Sequence, residues 1–295
     1  MQTATNRGVP CQYERVEGEG DPVVLVPTLG YGSWQWSWQF PAVAGPFEVV
    51  LPVLRGTPPS EWPESDGSAG AATATDDVPA LDVATLADDL EAVLADAGVS
   101  GAHLVGFGLG GHVALDHAAR FDRARSLTLI ATTFGVEGDS GGTAPAPRRS
   151  SEQPPSPSNV VDRLFAPRTD PDAVRSSLDA ALSAPFRNAH PDVVDGIVEW
   201  RTAEDADRQG WTAQAAAFEH WQRDWPPYEV TTPTLLVQGT ADEVVAPAHA
   251  TVLEELLPDA TVERFSGAGH LVTVERSRPL NDRLLGFLEA QASDR

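Results

Sequence analysis

Lysine is absent from this 295-residue chain. All 20 basic residues are arginine, set against 43 Asp and Glu, and the net charge is −23. So sparse a basic complement excludes a nucleic-acid face, which needs clustered positive charge to meet phosphates. Cysteine occurs once, at Cys11, so no disulfide can close within the chain. No uninterrupted apolar run of about 18 residues is present, and no basic-then-apolar leader opens the sequence. The expectation is a cytoplasmic, soluble protein with neither nucleic acid nor membrane as partner. The histidines fall into no H-E-x-x-H or similar spacing, so no metal is expected. An acidic surface without lysine has two readings. A salt-loaded cytoplasm would screen the self-repulsion of such a charge, and a halophilic source is the first expectation. A GC-rich genome, which converts lysine codons to arginine, is the second.

What is present is a globular pattern. Hydrophobic residues at 41%, with 8 Trp and 10 Phe, can fill a sizeable core. PVVLVP (Pro22–Pro27) and FEVVLPVL (Phe47–Leu54) read as buried strands, separated by a glycine turn and an aromatic stretch, TLGYGSWQWSWQF. DVATLADDLEAVLADA (Asp82–Ala97) has apolar residues at helical spacing, acidic residues outward, and Gly98 as a stop. LVGFGLGG (Leu104–Gly111) then drives a strand into a tight glycine turn, followed by a helix over His112–Arg120 and a strand at Ser126–Thr132. Strands alternating with helices predict an α/β fold with a parallel sheet covered on both faces.

Two stretches break that rhythm. Residues 56–80 and 138–158 are rich in Pro, Ser, Gly, Ala and Thr and are expected to be mobile loops. From about Asn159 to Trp225 the patterns are helical, without a convincing strand. Strands resume at Pro233–Val237 and Ala260–Phe265, with helices around His249–Leu257 and Pro279–Ala290. The expected organisation is a core of residues 1–137 and 226–295, with 138–225 inserted as a helical cap over the carboxyl ends of the strands, where such sheets bind ligands.

The ordered motifs resemble those of the α/β-hydrolase superfamily, in particular its cap-bearing carboxylester and lactone hydrolases, including enol-lactonases. The resemblance spans about Pro22 to Leu288. It rests on the elbow GFGLGG with HVALDHAAR behind it, on LLVQGTADEVV, and on SGAGHLVTVERSR (Ser266–Arg278). It implies an α/β-hydrolase fold with Asp242 and His270 as the acid and base of a triad, in the chain order of this fold. A histidine in a flexible glycine loop can swing between substrate and acid, and a carboxylate fixes its tautomer. His103, His112 and His117 are expected to pack or lie on the surface. No glycine loop has the surroundings of a dinucleotide site, and no cofactor is expected.

Three positions depart from the pattern. Gly108 stands where the elbow serine is usual, Pro27-Thr28 where His-Gly usually precedes the oxyanion loop, and Val53 where an aspartate is usual. Glycine keeps the elbow's positive φ without steric cost but brings no oxygen. The resemblance implies oxyanion donors in the backbone N–H groups of Leu29 and Leu109, which survive any side-chain change. Ser33 and Cys11 sit on no rigid element aimed at His270. A water in the vacated space, deprotonated by His270, is the better nucleophile. Trp34, Trp36, Phe107, Trp211 and Trp221 are expected to line a pocket for an apolar or cyclic small molecule with one carbonyl. Three readings follow: an ester or lactone hydrolase working through Asp242, His270 and water; a pseudoenzyme that binds a small molecule; or a serine hydrolase silenced by an introduced change. Oligomeric state is not fixed by the sequence.

Overall fold

In the computed structural model, which describes residues 1–60, 80–137 and 162–292, the apolar runs form the centre of an eight-stranded sheet of order β1-β2-β4-β3-β5-β6-β9-β10. The strands are β1 (Gln2–Asn6), β2 (Val9–Val16), β3 (Gly20–Val26), β4 (Phe47–Pro52), β5 (Ala102–Phe107), β6 (Ala124–Ile130), β9 (Thr234–Gly239) and β10 (Ala260–Phe265). Pairing is parallel from β4 to β10, and antiparallel only where β1 and β2 join the β4 edge. Val23, Leu25, Leu104, Val105 and Leu235 have no exposed surface, because helices cover both faces. This is the α/β-hydrolase fold.

Register sets the site. Val26 pairs with Gly106, Phe107 with Ile130, Ile130 with Val237, and Gly239 with Phe265. The carboxyl ends of these strands therefore finish side by side, and the loops leaving β3, β5, β9 and β10 emerge together.

Helix signals translate directly. After the short α1 (Phe40–Val43), helix α2 (Val83–Asp96) is capped by Asp82, which accepts from Thr85 N–H at 2.7 Å. It stops at Gly98, whose φ of +68° suits glycine. One acidic residue of α2 does not face outward as expected: Asp89 is buried, pairing with Arg55 (2.6 Å) and accepting from Asn6 (2.7 Å). Helix α3 (Leu109–Arg120) begins earlier than expected, at the elbow itself.

The β1–β2 hairpin escaped the sequence reading. Its signal is the Asn6-Arg7-Gly8-Val9 stretch, with positive φ at Arg7 (49°) and Gly8 (85°), as a two-residue hairpin turn requires. Between β6 and β9 lie α4 (Pro171–Ala181), α5 (Ala184–Ala189), α6 (Pro191–Glu204) and α7 (Arg208–Glu219). Helix α7 ends before the expected Trp225, and β8 (Gln222–Arg223) instead pairs in parallel with β7 (Val136–Glu137). Residues 61–79 and 138–161 lie outside the described residues, and with them nearly all of the two expected mobile loops. Among the described residues no helix is long and apolar enough to cross a membrane.

Candidate active site

The elbow is built by backbone contact. A Cβ on Gly106 would lie 2.3 Å from Gly110 O, and one on Gly110 would lie 2.2 Å from Val26 O. Only glycines let β5, α3 and the end of β3 approach so closely. At the centre Gly108 has φ +52° and ψ −113°, and its N–H donates to Ile130 O at 2.9 Å. Leu109 opens α3, where first-turn N–H groups have no partner within the helix. In the loop after β3, the N–H groups of Thr28 and Gly30 are taken by Gln35 Oε1 (3.0 Å) and Gln214 Oε1 (2.6 Å). The N–H of Leu29 lies between them.

Asp242 follows β9 and is held by donors on every side. Its Oδ1 accepts from Val244 and Val245 N–H at 2.8 and 2.9 Å, and its Oδ2 from Gln238 Nε2 at 3.0 Å. His270 Nδ1 meets the same Oδ2 at 3.0 Å. Both side chains are buried, and the His270 ring rests 4.9 Å from the ring centre of Phe107. With Nδ1 engaged by a carboxylate, the favoured tautomer leaves Nε2 as the free, basic nitrogen.

The loop carrying His270 is pinned, not free to swing as expected from its glycines. Gly269 N–H donates to Glu275 Oε1 at 3.1 Å, Leu271 N–H to Ala181 O at 2.9 Å, and Ala241 N–H to Ala268 O at 2.9 Å. The buried Glu275 also accepts from the N–H and hydroxyl of Ser183, each at 2.6 Å, tying the loop to the helices between β6 and β9.

Gly108 and His270 share a cavity with Thr28, Leu29, Leu164, Phe218, Val244 and Val245, of about 20 Å³. That is room for about one water molecule. The space beside Gly108 is not vacant: a Cβ there would lie 2.2 Å from Thr28 Oγ1.

These features, a nucleophile-elbow turn and a buried acid–histidine pair on a mostly parallel sheet, agree with a match over residues 23–283 to the alpha/beta hydrolase family. The chain belongs to that family. A putative carbamate hydrolase, RutD, from Azorhizobium caulinodans is 24% identical over 281 residues, covering 93% of this chain and 94% of that protein. A thermophilic esterase from Thermogutta terrifontis superposes with a TM-score of 0.75 at 21% identity, over 99% of this chain and 97% of the other. The enol-lactonase from Burkholderia xenovorans LB400 does so with a TM-score of 0.73 at 21% identity, over 98% and 100%. At such identities the structural likeness speaks for the fold.

Within this alpha/beta hydrolase the five aromatic residues expected to line a pocket stand outside the wall of the Gly108 cavity. Trp34 donates its indole N–H to Asp205 at 2.8 Å. Trp36 is fully buried in the core, and Trp211 packs on Gly30 so tightly that a Cβ there would lie 1.9 Å from the indole. Trp221 stacks on His112 at 4.2 Å, and Phe107 supports His270 from behind. Trp34, Trp211 and Trp221 join the segment between β6 and β9 to the loop after β3 and to α3, and apart from Thr28, Gly108 and His270 the cavity wall is aliphatic with one phenyl ring. A larger cavity, of about 200 Å³, lies across the β3 loop against Tyr31, Ser33, Val53 and Glu204, and reaches neither Gly108 nor His270.

His103, His112 and His117 are all fully buried, which narrows the expected packing-or-surface choice to packing. Ser33 donates its hydroxyl to Glu204 at 3.1 Å, and burial pushes the Cys11 thiol up to about 12. Neither is an activated nucleophile. Gln35, Gln214, Gln238 and Glu275, which hold the site together, were not singled out in the sequence; a buried polar residue carries no periodicity of its own.

Proposed function

We propose that this protein hydrolyses a small apolar ester or lactone, with His270 as general base, oriented by Asp242 and acting on water, and with the N–H groups of Leu29 and Leu109 receiving the negative charge that develops on the carbonyl oxygen. The buried 3.0 Å contact between His270 Nδ1 and Asp242 Oδ2 carries this reading. A carboxylate enclosed with a histidine orients the ring and stabilises the imidazolium formed when a proton is taken. The esterase and enol-lactonase among the structural relatives support the substrate class, and no cofactor enters the scheme. We read residues 138–225 as a cap on a core of 1–137 and 226–295; Leu164 and Phe218 bring its apolar side chains to the cavity.

Ring-opening of simple lactones and release of p-nitrophenol from p-nitrophenyl acetate test the reading. Asp242→Asn should leave the fold intact and cut turnover by roughly 10²-fold or more, the scale of a lost acid–base partner. The absence of side-chain oxygen at Gly108 favours a second reading, a binding protein. Calorimetric binding of these compounds with none consumed would decide for it.

A further inference from the structure

Gly108 at the elbow and Thr28 after β3 depart from the family pattern separately in sequence, yet they meet in one volume. In a serine the oxygen lies one bond beyond Cβ. The Thr28 oxygen already lies 2.2 Å from the position a Cβ on residue 108 would take. Thr28 therefore carries a hydroxyl into the zone that an elbow side chain would fill, approaching from the facing loop.

Three further observations bear on that hydroxyl. Thr28 lines the same small cavity as Gly108 and His270, so the two side chains border one space. Among the described residues no hydrogen bond uses Thr28 Oγ1, and only its main-chain N–H is engaged, by Gln35. The residue is held on a fixed element: it is 5% exposed, and Gln35, itself fully buried, also binds Gly32 O. A β-branched side chain with few χ1 states keeps its oxygen aimed.

We infer that Thr28 Oγ1 is the nucleophile that replaces the missing elbow oxygen. The inference rests on the hydrolase reading above and adds a covalent stage to it. As Oγ1 attacks the carbonyl carbon of the ester or lactone, its proton passes to His270 Nε2. The bond from that carbon to the alkoxy oxygen then breaks, and the leaving oxygen takes the proton from His270. The acyl group is left on Thr28. Water gives a proton to His270 and attacks the acyl carbon; the carbon–Oγ1 bond breaks and Oγ1 recovers a proton. The sum is ester plus water giving acid plus alcohol, with no other reactant. The Leu29 N–H, from the residue next to the nucleophile, and the Leu109 N–H face the developing oxyanion.

An ethyl fluorophosphonate tests this without relying on turnover, since its adduct does not hydrolyse: Oγ1 bonds to phosphorus and fluoride departs. Peptide mapping by mass spectrometry should find the label on Thr28 in the wild-type protein and in Thr28→Ser. It should be absent from Thr28→Val, which keeps the shape, and from His270→Ala. Hydrolysis of p-nitrophenyl acetate should fall by about 10²-fold or more in Thr28→Val and be largely kept in Thr28→Ser. If Thr28→Val turns over like the wild type while His270→Ala does not, the threonine is no nucleophile and the water reading stands alone. If turnover is indifferent to both substitutions, the hydrolase reading fails as well.

Discussion

Thr28 and Gly108 compete for one site: the Thr28 hydroxyl oxygen stands 2.2 Å from where any side chain on residue 108 would begin. Heavy atoms in non-bonded contact do not approach so closely, so one of the two must give way. A side chain at residue 108 therefore requires the Thr28 hydroxyl to turn away, and placing a serine there by itself is not a neutral edit.

Gly108→Ser should accordingly destabilise the protein. The backbone conformation at φ +52° costs a non-glycine residue about 1–3 kcal/mol, and the Thr28 contact adds to it. Thr28→Ala removes the obstructing oxygen. A urea-unfolding double-mutant cycle should show the pair coupled by at least about 0.5 kcal/mol, with the double variant more stable than the sum of the singles. Additive effects would mean that Thr28 rotates away freely.

Arg201 and Asp205, both buried, pair at 2.6 Å, and Asp205 also accepts from the Trp34 indole. This joins α6 to the loop after β3. Asp205→Ala leaves a buried guanidinium without its partner and should cost about 3–5 kcal/mol, whereas replacing both charges with apolar residues should cost much less. A loss below about 1 kcal/mol for Asp205→Ala would show that water reaches Arg201.

Burial pushes His103 down to about 4, His112 to about 3 and His249 to about 4. In the unfolded chain each titrates near 6.5, so below that pH the unfolded state binds protons that the folded state refuses. Stability is therefore full above about pH 6.5 and falls as the pH drops toward the folded values, by about 1.4 kcal/mol per pH unit for each histidine. Urea midpoints between about pH 7 and pH 5, where ordinary carboxylates stay ionised, should fall, and His112→Phe should flatten the slope. A level profile would show that these rings are protonated in the folded protein.

The net charge of −23 without lysine makes a further demand. Raising KCl from about 0.1 M to about 1 M shortens the screening length from about 10 Å to about 3 Å and should raise the unfolding temperature. A flat or falling curve would favour codon bias over adaptation to salt.

Much of this architecture was legible because it rests on local signals. The apolar runs of β3, β5, β6 and β9 read as buried strands, and the helical spacing that runs up to Gly98 marked α2. Gly106, Gly110, Asp242 and His270 stood out through resemblance to the family's motifs, and the structure brings the last two into contact. The pocket wall was not. A tryptophan reads the same in sequence whether it faces a ligand or cements a helix, and Trp34, Trp211 and Trp221 are cement. Nor could spacing reveal that Thr28 fills the place beside Gly108, since the two are joined only through the register of β3 with β5.

If His270 drives hydrolysis on this scaffold, turnover must fail without its ring. Release of p-nitrophenol from p-nitrophenyl acetate, measured in molar KCl for the wild-type protein and His270→Ala side by side, tests it most directly. Catalysed release by the wild type and a loss of roughly 10²–10⁴-fold in the variant are expected. Equal rates in the two proteins, or no catalysis by either, would contradict it.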